Sequence, residues 1–238
     1  MIKKIIVTGG DGRFAKELRK IKSNYKFIFR SKKQLNILSI KSIKSNLNKI
    51  KPDCVLHLAG LSRPMDIHDR NINKSIDLNI IGTANLVKIC KKFNIKIVYF
   101  STSYVYEGLY GNYKETDPVK PFNNYALSKL GGECAVSMNK NSLILRINMT
   151  EKPFLFKKAY NNLIANYMYH EDLVKILPKI INKKGILNIG GKPQSVYKFA
   201  KSKKLNVKKI KAKKSAKLPF RQDMNISKLK TILRKKVI

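Results

Sequence analysis

The chain has 238 residues and a formal net charge of +37, from 51 Lys and Arg against 14 Asp and Glu. A hydrophobic fraction of 43% is enough for a packed core and excludes disorder over most of the length. The opening apolar run Ile5-Ile6-Val7 is too short for a signal-peptide core or a membrane span, which predicts a cytoplasmic protein without membrane association.

In chain order, Ile5-Ile6-Val7-Thr8 reads as a first strand, closed by glycines, and Phe14-Ala15-Lys16-Glu17-Leu18 opens a helical pattern. Phe27-Ile28-Phe29 is a second strand, residues 40–50 a helix, and residues 54–58 a third strand. Apolar residues at helical spacing run through 79–93, followed by a fourth strand at 97–100, a helix at 125–138 and a fifth strand at 142–145. Apolar runs alternating with amphipathic helices predict an α/β fold, a doubly wound parallel Rossmann sheet with helices on both faces. Past Arg146 the pattern loosens into a helix with its entry at 167–181, a strand at 186–189 and a helical turn or two at 196–201. We therefore divide the chain into an NAD(P)-binding domain, 1–148, and a small C-terminal α/β substrate-binding lobe, 149–238, that partly packs back on it.

Cys54, Cys90 and Cys134 show no CxxC spacing, and His57, His68 and His170 no HExxH pattern. Packed, reduced thiols and no metal site are expected. The charge invites a polyanion partner, but lysines are spread along the whole chain, as AT-rich codon usage would produce. One dense block, Lys201 to Lys217, holds nine lysines and no acid. Charge runs are usually solvated, so we read a solvated surface in preference to a nucleic-acid site.

Gly9-Gly10-Asp11-Gly12-Arg13-Phe14-Ala15 lies where the first strand meets the first helix. Glycines there allow a tight turn and close approach of backbone N–H groups to a dinucleotide pyrophosphate. The second strand ends in Phe29-Arg30-Ser31-Lys32-Lys33. An acid at that point would hold the ribose hydroxyls of NAD, whereas basic and hydroxyl groups suit the extra phosphate of NADP. NADP is the expected cofactor, with NAD as the alternative.

Carbonyl reduction by a hydride donor needs an acid near the carbonyl oxygen and a group that keeps the acid poised. A tyrosine four residues before a lysine shares one helix face with it, and the cation favours the phenolate. Three such pairs occur, Tyr110/Lys114, Tyr125/Lys129 and Tyr197/Lys201. The middle one alone sits on a helix that follows a strand ending in hydroxyls, Ser101-Thr102-Ser103, so Thr102 and Tyr125 can reach one carbonyl. The bland reading of Thr102 is a turn cap.

Ser101-Thr102-Ser103-Tyr104-Val105-Tyr106-Glu107-Gly108 with Tyr125-Ala126-Leu127-Ser128-Lys129-Leu130-Gly131-Gly132-Glu133 resembles the dTDP-4-dehydrorhamnose reductase family of extended short-chain dehydrogenases. Leu35-Asn36-Ile37, Lys51-Pro52-Asp53, Leu58-Ala59-Gly60, Asn188-Ile189-Gly190-Gly191 and Asn225-Ile226-Ser227-Lys228-Leu229 extend the resemblance over nearly the whole chain. It implies an NADPH-dependent reductase of the keto group of a nucleotide-linked 4-keto-6-deoxy sugar, with Tyr125 as proton donor and Thr102 orienting the carbonyl. Lys129 would tune Tyr125 and grip the ribose. Gly9, Gly12, Arg13 and Phe14 would line the pyrophosphate, Arg30 and Ser31 the extra phosphate, Asn36 and Ile37 the adenine, and Leu58, Ala59 and Gly60 the middle of the cofactor.

Sugar dehydratases of the same superfamily carry Asp-Glu after the threonine. Ser103-Tyr104 stands here, with no carboxylate to drive elimination. Asn36 and Ser103 stand where the family has Asp, residues 147–150 lack its Trp-Val-Tyr-Gly, and the segment before Tyr169-His170-Glu171-Asp172 is shorter. An NAD-dependent epimerase and a catalytically silent NADP-binding regulatory subunit stay open as alternatives, and a homodimer is compatible with the resemblance.

Overall fold

The computed structural model describes residues 2–202, 206–213 and 218–234. Its elements in chain order are β1 (Lys4–Thr8), α1 (Arg13–Leu18), β2 (Lys26–Arg30), α2 (Ile40–Ile50), β3 (Cys54–His57), α3 (Ile67–Arg70) and α4 (Ile72–Ser75). A π-helical segment, Ile76–Ile81, leads into α5 (Gly82–Lys92), then β4 (Lys96–Thr102), a 3₁₀ turn at Ser103–Val105, α6 (Asn124–Ser137) and β5 (Ser142–Ile147). The remainder comprises β6 (Met149–Thr150), β7 (Lys158–Tyr160), β8 (Ile164–Ala165), β9 (Met168–Tyr169), α7 (His170–Ile180), β10 (Gly185–Ile189), β11 (Gln194–Ser195), α8 (Val196–Lys201), β12 (Lys208–Ile210) and α9 (Ser227–Arg234).

Six strands form one parallel sheet in the order β10-β5-β4-β3-β1-β2. Parallel strands covered on both faces must be apolar throughout, and Ile5, Ile6 and Val7 of β1 are fully buried. Successive side chains point to opposite faces. Ile5 and Val7 join Phe14, Leu18, Leu173 and Leu177 on one side, and Ile6 joins Ile43, Leu47, Leu86 and Ile89 on the other. Ser39 caps α2 by accepting from Ser42 N at 3.2 Å, and Asn123 caps α6 by accepting from Ala126 N at 2.8 Å.

The chain leaves β1 for β2 at one edge and returns to β3 on the far side of β1. That reversal opens a crevice at the carboxyl ends of β1 and β3, where doubly wound sheets bind ligands.

The sheet matches the fold expected from sequence, and the differences have local causes. β4 and β5 run on through Thr102 and Ile147, carrying polar residues into the sheet. The segment expected as one helix over 79–93 begins earlier and changes pitch, with Asn79 in the π-helical part. Residues beyond 149 supply β10 to the main sheet and α7 to its α1 face, while β6 with β9, β7 with β12 and β8 with β11 make three small pairs.

Cys54 and Cys90 are buried, but Cys134, expected to be packed, is exposed, because it faces away from the buried Gly132 and Glu133 side of α6. Of the lysine-rich block, residues 203–205 and 214–217 lie outside the described residues. Among the described residues no helix is long and apolar enough to cross a membrane, and no cluster of His, Cys, Asp and Glu could hold a metal ion.

Candidate active site

A cavity of about 360 Å³ lies at the crevice. Its floor is the glycine turn after β1. Gly9 has φ +65°, and a Cβ there would stand 2.8 Å from Ala59 N, so the turn closes against the end of β3 only with glycine. Thr8 Oγ1 accepts from Leu58 N at 3.2 Å and Ala59 N at 3.1 Å, and it meets His57 Nδ1 at 2.8 Å. The other ring nitrogen of His57 lies 3.1 Å from Thr83 Oγ1. Burial pushes the imidazole down to about 3, so it stays neutral and ties β1, β3 and α5 together beneath the turn.

At the far end stand Thr102, Tyr125 and Lys129, all lining the cavity. Thr102 ends β4 and Tyr125 lies in the first turn of α6, and the Thr102 hydroxyl is near enough to the phenol to ease its ionisation. Thr102 Oγ1 also accepts from Tyr104 N at 3.3 Å, so the turn-capping role coexists with the cavity position. Burial raises the Tyr125 phenol to about 12, against the Thr102 hydroxyl that lowers it. Burial pushes Lys129 down to about 7, opposed by Glu133 one turn further along the helix. Lys129 Nζ sits 4.1 Å from the centroid of the Tyr99 ring, whose negative face offsets part of the lost hydration.

Beneath α6, the buried Arg146 guanidinium grips Glu133, with Nη2 2.8 Å and Nε 3.2 Å from Oε2. Its Nη1 donates to Tyr106 Oη at 2.9 Å, and that phenol donates to Asn188 Oδ1 at 2.9 Å. A Cβ at Gly132 would meet Tyr99 Oη at 2.3 Å, so this glycine lets α6 lie directly on β4. Asn79 donates through Nδ2 to Leu61 O and to Ser128 Oγ, both at 2.9 Å, and accepts from Leu61 N at 2.7 Å. One side chain thus fixes the loop after β3 against α6.

Of the residues singled out from sequence, Gly9, Gly12, Arg13, Phe14, Leu58, Ala59, Gly60, Thr102, Tyr125 and Lys129 share this cavity. Arg30, Ser31, Asn36 and Ile37 are not in its wall. Arg30 O accepts from Gly10 N at 2.8 Å, which sets the end of β2 beside the glycine turn, and Arg30 Nε is buried without a hydrogen-bond partner. Ser31 starts a turn by accepting from Gln34 N at 3.3 Å, and Asn36 accepts from Leu38 N at 3.0 Å ahead of α2. Ile37 is a core residue against Gly82.

Arg63, Tyr104, Glu151, Tyr167 and His170 also line the cavity without a sequence signal that selected them as site residues. Arg63 follows the Leu58-Ala59-Gly60 match by three residues, which would have been the cue. The neighbouring Tyr104 phenol, with burial, holds Tyr167 protonated well above the ordinary tyrosine range.

Residues 3–171 match the family model described as RmlD substrate binding domain. Methionine adenosyltransferase 2 subunit beta of Xenopus laevis is 32% identical over 114 residues, covering 48% of this chain and 34% of that protein. The dTDP-4-dehydrorhamnose reductase of Aggregatibacter actinomycetemcomitans is 26% identical over 152 residues, covering 62% of this chain and 51% of that protein. The matched part therefore spans between about a third and a half of the length of these relatives. A dTDP-4-dehydrorhamnose reductase from Bacillus anthracis, solved in complex with NADP, superposes with a TM-score of 0.84 at 23% identity, covering 97% of this chain and 92% of that one. At that identity the likeness concerns the fold.

Proposed function

The chain belongs to the RmlD substrate binding domain family, and from that premise we propose that it reduces the keto group of a nucleotide-linked 4-keto-6-deoxy sugar with NADPH. The observation that carries this reading is the meeting of the Thr102 hydroxyl and the Tyr125 phenol in one cavity with Lys129, opposite a glycine turn. We assign Thr102, Tyr125 and Lys129 as catalytic. Gly9, Gly12, Arg13, Phe14, Arg30, Ser31, Asn36, Ile37, Leu58, Ala59, Gly60, Tyr125 and Lys129 are assigned to the cofactor.

The residues fit the cofactor. The glycine turn leaves backbone free to approach a pyrophosphate, and the buried, unpartnered Arg30 Nε at the end of β2 suits an added phosphate in place of a ribose hydroxyl. When bound, NADPH supplies the hydride.

The chain's own groups handle the oxygen. A carbonyl oxygen set between Thr102 and Tyr125 accepts from both hydroxyls, which fixes its orientation. As negative charge grows on that oxygen, Tyr125 gives up its phenolic proton. A phenol held near 12 is fully protonated at neutral pH. The Lys129 cation lowers the cost of leaving a phenolate behind. Ser103 Oγ lies 2.5 Å from Asn148 Oδ1 and 2.9 Å from Gln222 Oε1, its one proton shared between these two acceptors, and a hydroxyl at this position is no base that could drive elimination.

The test is NADPH oxidation with a panel of nucleotide-linked 4-keto-6-deoxy sugars, where turnover is expected with at least one. Identity to methionine adenosyltransferase 2 subunit beta favours a second reading, a silent NADP-binding regulatory subunit. Cofactor binding without turnover, together with co-purification of a partner enzyme, would favour that reading over the first. A cytoplasmic location and a homodimer are part of the proposal. Absence of salt-sensitive nucleic-acid affinity is expected with them.

A further inference from the structure

Three charged side chains from distant parts of the chain meet on the cavity wall. Arg13 Nε lies 3.0 Å from Glu151 Oε1, and Arg63 Nη1 lies 3.2 Å from Glu151 Oε2. Arg13 is the first residue of α1 after the glycine turn, Arg63 lies in the loop after β3 and Glu151 directly follows β6. All three line the cavity. Oε2 accepts a hydrogen bond from Arg63, whereas Oε1 meets Arg13 as an ion pair and, though buried, takes no hydrogen bond, so one anionic group holds two cations that would otherwise repel.

The arginine side chains are 47% and 31% exposed. Ion pairs as open to water as these are weak and exchangeable. Guanidinium forks match phosphate oxygens as well as they match carboxylates, and a diphosphate presents more oxygens and more charge than one carboxylate.

We infer that Arg63 is a diphosphate-binding residue and that Glu151 is an internal stand-in anion, displaced from Arg13 and Arg63 when a diphosphate enters the cavity. This rests on reading the cavity as a site for a dinucleotide and a nucleotide sugar. Two ligands carry the chemistry. Arg13 adjoins the turn assigned to the cofactor pyrophosphate, while the Arg63 charge acts on Tyr125 and Tyr167 at the reacting end, where a sugar nucleotide would lie. Glu151 then sets a threshold, because any entering anion must compete with it for both arginines.

The experiment measures equilibrium binding of NADPH to the free protein and of dTDP to the NADP-loaded protein, for wild type, Glu151→Gln, Arg63→Met and the double variant. Glu151→Gln is expected to tighten binding of at least one ligand by about 5- to 20-fold, since a competing charge is gone. Arg63→Met is expected to weaken the same ligand by about 10-fold or more, and the double variant to lose the gain of Glu151→Gln. An effect on NADPH alone identifies the cofactor pyrophosphate as the displacing group, and an effect on dTDP alone identifies the substrate diphosphate. Unchanged or weaker binding of both ligands to Glu151→Gln overturns the inference. So does a gain that survives Arg63→Met, or a wild type that binds neither ligand. Melting curves separate folding loss from binding loss. Because no turnover is needed, a protein that responds as expected yet never oxidises NADPH defeats the reductase reading and leaves this one standing.

Discussion

Lys129 is placed against its own charge. Only 8% of it is exposed, burial lowers it from 10.5 to about 7, and Glu133 is the acid that opposes the shift. Tyr125 stays protonated until about 12, so loss of the lysine proton is the step that should limit reduction on the alkaline side. We expect kcat/KM to fall as pH rises through about 7. Glu133→Gln should move that limb to lower pH, because the opposing charge is gone. A pH–rate profile that leaves the limb in place contradicts this role. The profile must be recorded well below the variant's melting temperature, since unpairing the buried Arg146 costs about 3–5 kcal/mol. Stability carries the reverse sign. The folded state resists the protonated lysine, so its penalty is full below about 7 and vanishes as pH climbs toward 10.5. Lys129→Met should therefore melt higher at neutral pH, by about 1–3 kcal/mol, while losing turnover, and thermal melts check it.

At the scale of elements, the neutral His57 bridge between β1, β3 and α5 gives the sheet an acid-sensitive joint. Its folded value is about 3 against an ordinary 6.5, so its stabilising contribution is whole above 6.5 and is lost as pH falls toward 3. Within that window stability should drop by up to about 1.4 kcal/mol per pH unit on this account alone. His57→Gln should flatten that part of the curve in denaturant titrations, and an unchanged slope would show that other groups govern it. This joint was invisible from sequence, where His57 was merely a residue outside any metal pattern. The strands themselves were legible because β1 and β3 are unbroken apolar runs. The full lengths of β4 and β5 were not, since the apolar runs at 97–100 and 142–145 give no sign that the strands continue through the polar Thr102 and Arg146. The Tyr125/Lys129 pair could be picked from three equal spacings only by the strand that precedes its helix.

Over the whole molecule, the sheet borrows its sixth strand from the far part of the chain. Among the described residues, eight of the nineteen buried members of one core cluster lie beyond 148, from Leu173 to Leu229. A chain cut after Asn148 should therefore show no cooperative melt, whereas a sharp transition would mean that residues 1–148 fold alone. The small strand pairs around 149–169 escaped the sequence reading because two- and three-residue strands have no periodicity to detect. Glu151 and Arg63 escaped it because a charge acquires meaning only from what the fold sets opposite. The central claim is that the Tyr125 phenol supplies the proton to a carbonyl reduced by NADPH. Single-turnover NADPH oxidation by wild type and Tyr125→Phe, with a 4-keto-6-deoxy sugar nucleotide, tests it most directly. The expected result is a rate lower by about 100-fold or more in the variant at saturating NADPH. Equal rates in the two proteins, or no oxidation by the wild type with any such sugar, would contradict it.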